Sequence, residues 1–146
     1  MSIEDDVALL ERVPTLRLLG DAALRMLAIG SELRDFDRGD QLFNAGDEAD
    51  AGYVVQRGAF RVEDGGAEIV AGPGALIGEL ALIVAMRRPS SAVALERSSA
   101  IRVARSLFQR VLESDPAAAR RLRDEIATRS SQIASDLLMA GAKLNL

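Results

Sequence analysis

Cysteine and histidine are both missing from the 146 residues. Their absence removes disulfides, thiolate clusters, imidazole metal sites, histidine general bases and cysteine nucleophiles in one step. Positive charge is also in short supply. Eighteen lysines and arginines stand against 22 aspartates and glutamates, a formal charge of -4, so the chain exerts no overall pull on a phosphodiester backbone. Direct nucleic-acid binding is not expected. No apolar run approaches the roughly 20 residues that span a bilayer. The acidic start, Met1-Ser2-Ile3-Glu4-Asp5-Asp6, is not that of a secretory or transit peptide. The expectation is a soluble, cytoplasmic protein with no membrane contact.

What is present reads as one globular domain, 1–146. Apolar residues make up 49% and charged residues 27%, an ordinary balance, and the length suits a single core. Val7, Leu9 and Leu10 sit among charges at helical spacing before Pro14 breaks the run. A second helix is expected after Gly20, with Asp21 as N-cap and Leu24, Leu27 and Ala28 as its buried stripe up to Gly30. Two helices therefore precede everything else.

From Ser31 to about Arg105 the pattern changes to short β-type runs: Leu33 to Phe36, Gln41 to Phe43, Tyr53 to Gln56, Phe60 to Val62, Ile69 to Ala71, Val93 to Leu95 and Ile101 to Val103. Glycine-containing turns such as Asp37-Arg38-Gly39-Asp40 and Ala45-Gly46-Asp47 separate them. Many short strands at near-regular spacing favour a sandwich or roll over a parallel sheet. Ser106-Leu107-Phe108-Gln109 reads as a capping box that reopens helix. Asp115-Pro116 then starts a long helix in which Ala119, Leu122, Ile126, Ile133, Leu137 and Ala140 recur, ending near Gly141.

One stretch, 72–93, combines glycine, acid and base. Glu79 to Ala85 is a run of helix formers with Gly78 in front of it, so the first amides of one helical turn point outward without partners. Such amides suit an anion. Gly78-Glu79-Leu80-Ala81-Leu82, followed by Arg88 and Pro89-Ser90-Ser91, resembles the phosphate-binding cassette of the cyclic nucleotide-binding domain family, which includes bacterial catabolite activators and protein kinase A regulatory subunits. Gly39, Leu42-Phe43, Gly46-Asp47, Asp50, Tyr53-Val54-Val55 and Gly58 match the framework of that family in order and spacing, and with the flanking helices included the resemblance covers about Glu4 to Ala140.

The resemblance implies an α+β fold: a mainly antiparallel, jelly-roll-like β-roll (31–105) between N-terminal helices (1–30) and C-terminal helices (106–141). It assigns Arg88 to the cyclic phosphate, a role suited to a planar, permanently charged donor fork. It assigns Glu79 to the ribose 2′-hydroxyl, and the amides of Gly78 and Leu80 to the sugar and phosphate cradle. Ser90 and Ser91 are further phosphate donors, Ser90 being nearer Arg88. Pro89 departs from the family pattern, because a residue there often contributes an amide that proline lacks. A register shifted by one would put Arg87 in place of Arg88. Ser130 and Ser131, with Thr128 as a neighbouring alternative, lie where relatives contact the purine.

Each residue also has a plainer reading. Glu79 fits a helix-start acid and the arginine pair fits a solvated helix end. The acids Asp40, Asp47, Glu48 and Asp50 fit turns, with no histidine, cysteine or lysine base to make an enzyme of them. The stripe from Ala119 to Ala140 is core or partner surface, and a homodimer through this helix is its natural use. Two functions follow. The first is a non-enzymatic cyclic AMP or cyclic GMP sensor, without cofactor, that signals through its last helix to an unknown effector protein. The second is an interaction module that keeps the fold and has lost the nucleotide. Iron–sulfur or haem sensing needs the missing cysteine or histidine, and with only Lys143-Leu144-Asn145-Leu146 after Gly141-Ala142 no helix-turn-helix DNA reader is expected.

Overall fold

A computed structural model describes residues 2–64 and 66–129 of the chain. Three helices open it, not two: α1 (Ile3–Glu11), α2 (Pro14–Arg17) and α3 (Asp21–Gly30). Ser2 starts α1 with a reciprocal box. Its Oγ accepts from the Asp5 amide at 3.2 Å while its own amide donates to the Asp5 carboxylate at 3.4 Å. Pro14 does end the first helical run, but its fixed φ also suits the first position of a helix, and α2 grows from it. The N-cap of α3 is Gly20 and not Asp21, which lies inside the helix and pairs with Arg25 one turn on.

Ten strands follow: β1 (Glu32–Phe36), β2 (Gln41–Phe43), β3 (Glu48–Ala49), β4 (Ala51–Arg57), β5 (Phe60–Asp64), β6 (Ala67–Ala71), β7 (Leu76–Ile77), β8 (Met86–Arg87), β9 (Ala92–Ala94) and β10 (Ser98–Ala104). Every pairing is antiparallel, in two four-stranded sheets, β1-β10-β4-β7 and β2-β9-β5-β6, with a small β3-β8 ribbon. All seven strands expected from the sequence are present. The three added ones, β3, β7 and β8, are two residues each, too short to show alternation. This is an antiparallel β-roll flanked by helices.

Alternation along β4 and β10 explains where the core sits, since successive side chains point to opposite faces of a sheet. Tyr53, Val55 and Ala100 face into the roll beside Phe60 and Ile77, while Val54, Ile101 and Val103 face the helices beside Leu10, Leu24 and Phe108. Both faces of β4 are thus covered, so Ala51 to Val55 is buried without a break.

Helix α4 (Arg105–Ser114) follows β10 directly. Its N-cap is Ala104, with no side-chain cap, so Ser106 falls within the first turn and the expected capping box is not formed. Asp115 does cap the next helix, α5 (residues 116–129), accepting from the Ala118 amide at 3.1 Å. Arg121 fastens α5 to the end of α2, donating to the carbonyls of Leu18 (2.6 Å) and Leu19 (2.8 Å).

Candidate functional site

Between β7 and β8 the chain makes the expected single helical turn, of 3₁₀ type and confined to Glu79–Leu82 within the run of helix formers that extends to Ala85. Gly78 introduces it with φ 79° and ψ 39°, a left-handed conformation that costs any residue bearing a Cβ. Space demands glycine here as well. A Cβ at this position would lie 2.5 Å from Nη1 of Arg88. Leu82, at the far end of the turn, is buried in the helix-side core against Gly52 of β4.

Arg88 is held at both ends. Its amide donates to the Asp47 carbonyl (2.7 Å) and its carbonyl accepts from the Gly46 amide (2.8 Å), which pins the chain just after β8 to the turn before β3. The side chain then runs inward, leaving the residue 5% exposed. Its guanidinium carbon lies 4.1 Å from the Phe43 ring centroid and 5.7 Å from that of Tyr53. Nη2 donates to the Ala51 carbonyl at 2.7 Å, whereas Nε is buried with no hydrogen-bond partner. Among the described residues no carboxylate pairs with this guanidinium. Burial holds its pKa below the ordinary arginine value.

The opposing magnitudes are of similar size. Desolvating a cation costs several kcal/mol after relaxation, against roughly 0.5–2 kcal/mol from an aromatic face and roughly 1.5–3 from a hydrogen bond to a charged group. The ring contacts and the hydrogen bond offset much of that cost, and the Nε donor is left without a partner among the described residues. The 3₁₀ turn begins beside it, and the first amides of such a turn have no partner within the turn.

Arg87 is turned away. It is exposed, its Nη1 donating to the Gly46 carbonyl at 3.0 Å. Ser91 accepts from the Ala45 amide at 2.9 Å; Ser90 is half-buried, and Leu80 is exposed. Thr128 bonds back to the Asp124 carbonyl of its own helix. Ser130 and Ser131 lie outside the described residues. Three of the four acids read as turn residues form turns or pair with bases: Asp40 and Asp47 accept from the amides of Asp37 (2.8 Å) and Asn44 (3.0 Å), and Asp50 pairs with Arg102 at 3.0 Å; Glu48 lies in β3 instead.

Glu79 does not face Arg88. Its Oε1 accepts from the Thr15 hydroxyl (2.9 Å) and from Nη1 of Arg129 (3.3 Å), and Nη2 of Arg129 donates to the same hydroxyl at 3.1 Å. This node joins α2, the 3₁₀ turn and α5 at the wall of a cleft of about 590 Å³, lined by residues that include Val13, Arg17 and Glu125. Thr15 and Arg129 are site residues that sequence reasoning missed, because nothing local marks a threonine in a short helix or one arginine among several. Phe43 and Tyr53 were visible only as framework positions, although an aromatic pair near an arginine is a recognisable signal.

Comparison with known proteins agrees with this architecture. The family model for the cyclic nucleotide-binding domain matches residues 33–115. Lysophospholipase nte1 of Neurospora crassa is 30% identical over 144 residues, spanning 94% of this chain but 9% of that protein. Among solved structures, the N-terminal domain of a transcriptional regulator from Streptomyces coelicolor is 29% identical with a TM-score of 0.79, covering 88% of this chain and 94% of that one. A cyclic nucleotide-binding-like protein from Brucella abortus is 35% identical with a TM-score of 0.65, covering 75% and 98%. On the extent of the family match and the β-roll that carries it, the chain belongs to the cyclic nucleotide-binding domain family.

Proposed function

We propose that the chain is a non-enzymatic sensor that captures the phosphate of a cyclic nucleotide on Arg88, with cyclic AMP the first ligand to try. The buried, carboxylate-free guanidinium with its orphaned Nε carries this reading. Exposed Arg87 offers no comparable site. Gly78 and Leu80 supply amides, and Ser90 and Ser91 supply further donors. Glu79 takes the ribose hydroxyl, using capacity that Thr15 and Arg129 leave unused, since a carboxylate has about four acceptor positions. Ser130 and Ser131 are assigned to the purine.

Occupancy is passed on through α5, which touches Glu79 through Arg129 and which we expect to pair with a second copy or an effector protein. The likeness to nte1 concerns less than a tenth of that lysophospholipase, so what it carries to this chain is a regulatory domain and not the lipase reaction. We also expect the chain to act in the cytoplasm without touching nucleic acid or membrane. No helix among the described residues is long and apolar enough to cross a bilayer.

A second reading keeps the fold and drops the ligand. Pro89 favours it, since no amide is available beside Arg88. Titration calorimetry with cyclic AMP and cyclic GMP, beside Arg88→Ala, separates the two. Saturable binding lost in the variant supports the sensor; binding retained moves the phosphate to Arg87, and silence with both ligands selects the interaction module.

A further inference from the structure

Three consecutive carbonyls, those of Ala49, Asp50 and Ala51, all accept from arginines. Nη1 of Arg105 donates to Ala49 (2.7 Å), the Arg105 amide to Asp50 (2.8 Å) and Nη2 of Arg88 to Ala51 (2.7 Å). One short ledge between β3 and β4 therefore carries two guanidinium groups. Arg105 reaches further. The same Nη1 lies 3.2 Å from the carbonyls of Ala81 and Val84, at and just beyond the C-terminal end of the 3₁₀ turn, where carbonyls lack partners within the turn and positive charge is favoured.

We infer that Arg105 is a positioning residue for anion capture. It ties the far end of the turn to the ledge that holds Arg88, so the amides at the near end and the ligand arginine keep one mutual geometry. It does not touch ligand itself. Its own placement is fixed twice, by standing first in α4 and by following the Ala104–Ala51 pair of the β10–β4 ladder. All three side-chain contacts come from Nη1, so one charged nitrogen serves the ledge and the turn together. The role rests on the reading of Arg88 as the phosphate residue.

The test pairs two measurements on Arg105→Ala. Amide exchange in the ligand-free protein should quicken at least tenfold at Ala81, Ile83 and Val84, whose amides bond within the turn, while β4 and β10 amides keep their protection. Affinity for cyclic AMP should fall at least tenfold. Should Arg105→Ala not fold, Arg105→Gln, which keeps a donor and loses the fork and charge, takes its place with smaller changes of the same sign. Unchanged exchange, or faster exchange with unchanged affinity, overturns the role. A wild-type protein that binds neither cyclic nucleotide overturns the site reading and the ligand role together, and the exchange data then tell whether Arg105 still orders the turn.

Discussion

The guanidinium of Arg88 lies against the ring of Phe43, 4.1 Å from its centroid, with the Ala51 carbonyl as its one hydrogen-bond acceptor among the described residues. An aromatic face stabilises a cation without neutralising it. The pair therefore preserves a full positive charge inside the roll.

Burying such a charge without a carboxylate partner costs stability. Arg88→Met, which keeps the length and removes the charge, should raise the unfolding free energy of the ligand-free protein by about 1–3 kcal/mol and abolish cyclic nucleotide binding. Urea denaturation checks the first half and calorimetry the second. A variant less stable than the parent would mean that the arginine is structural.

Gly78→Ala should act on the same group from the other side. The left-handed backbone costs a residue with a Cβ roughly 1–2 kcal/mol, and the added methyl would crowd Nη1 of Arg88. A loss of stability of that size with at least a tenfold loss of affinity is expected. An unchanged ligand titration would place the anion elsewhere.

Thr15, Glu79 and Arg129 share one node, so their substitutions should not add. A double-mutant cycle of Thr15→Val and Glu79→Gln should give a coupling of about 0.5–2 kcal/mol in thermal or urea unfolding. Strict additivity would show that the hydroxyl and carboxylate ignore each other. Thr15 is 7% exposed, which leaves water little chance to substitute for its hydroxyl, whereas the Glu79 side chain keeps 39% exposure.

Asp6 gives the protein a small acid-side signature. Its carboxyl pKa is raised, first by burial. The folded state thus holds the proton more tightly than the unfolded chain, and stability falls as pH climbs through the carboxylate range. Asp6→Asn should be more stable than the parent at pH 7, and the gain should vanish toward pH 3. A pH-independent difference would assign the effect to packing instead.

The strands were legible because alternation and turn residues speak locally: Gln41–Phe43 stands where the run of residues placed it. The cassette was legible because glycine, acid and arginine fall in one segment. Caps were harder. Ser2 with Asp5 and Ala104 before α4 show that a serine near a helix start caps only if the backbone bends at that residue, which spacing alone does not reveal. Sequence likewise gave Glu79 one partner class, while the fold brings it Thr15 from 64 positions before and Arg129 from 50 after. Long-range pairs of this kind depend on how α2 and α5 dock, and docking is a property of packed faces.

The 3₁₀ turn has a mechanical consequence. Its four residues run from Gly78, against Arg88, to Leu82, buried among the helices. A 3₁₀ segment rises about 2.0 Å per residue and an α-helical one about 1.5 Å, so rewinding this turn would shorten it by about 2 Å. Leu82 cannot retreat that far alone in a close-packed interior. A change of pitch at the Gly78 end would therefore have to be taken up as displacement by the helices packed on Leu82.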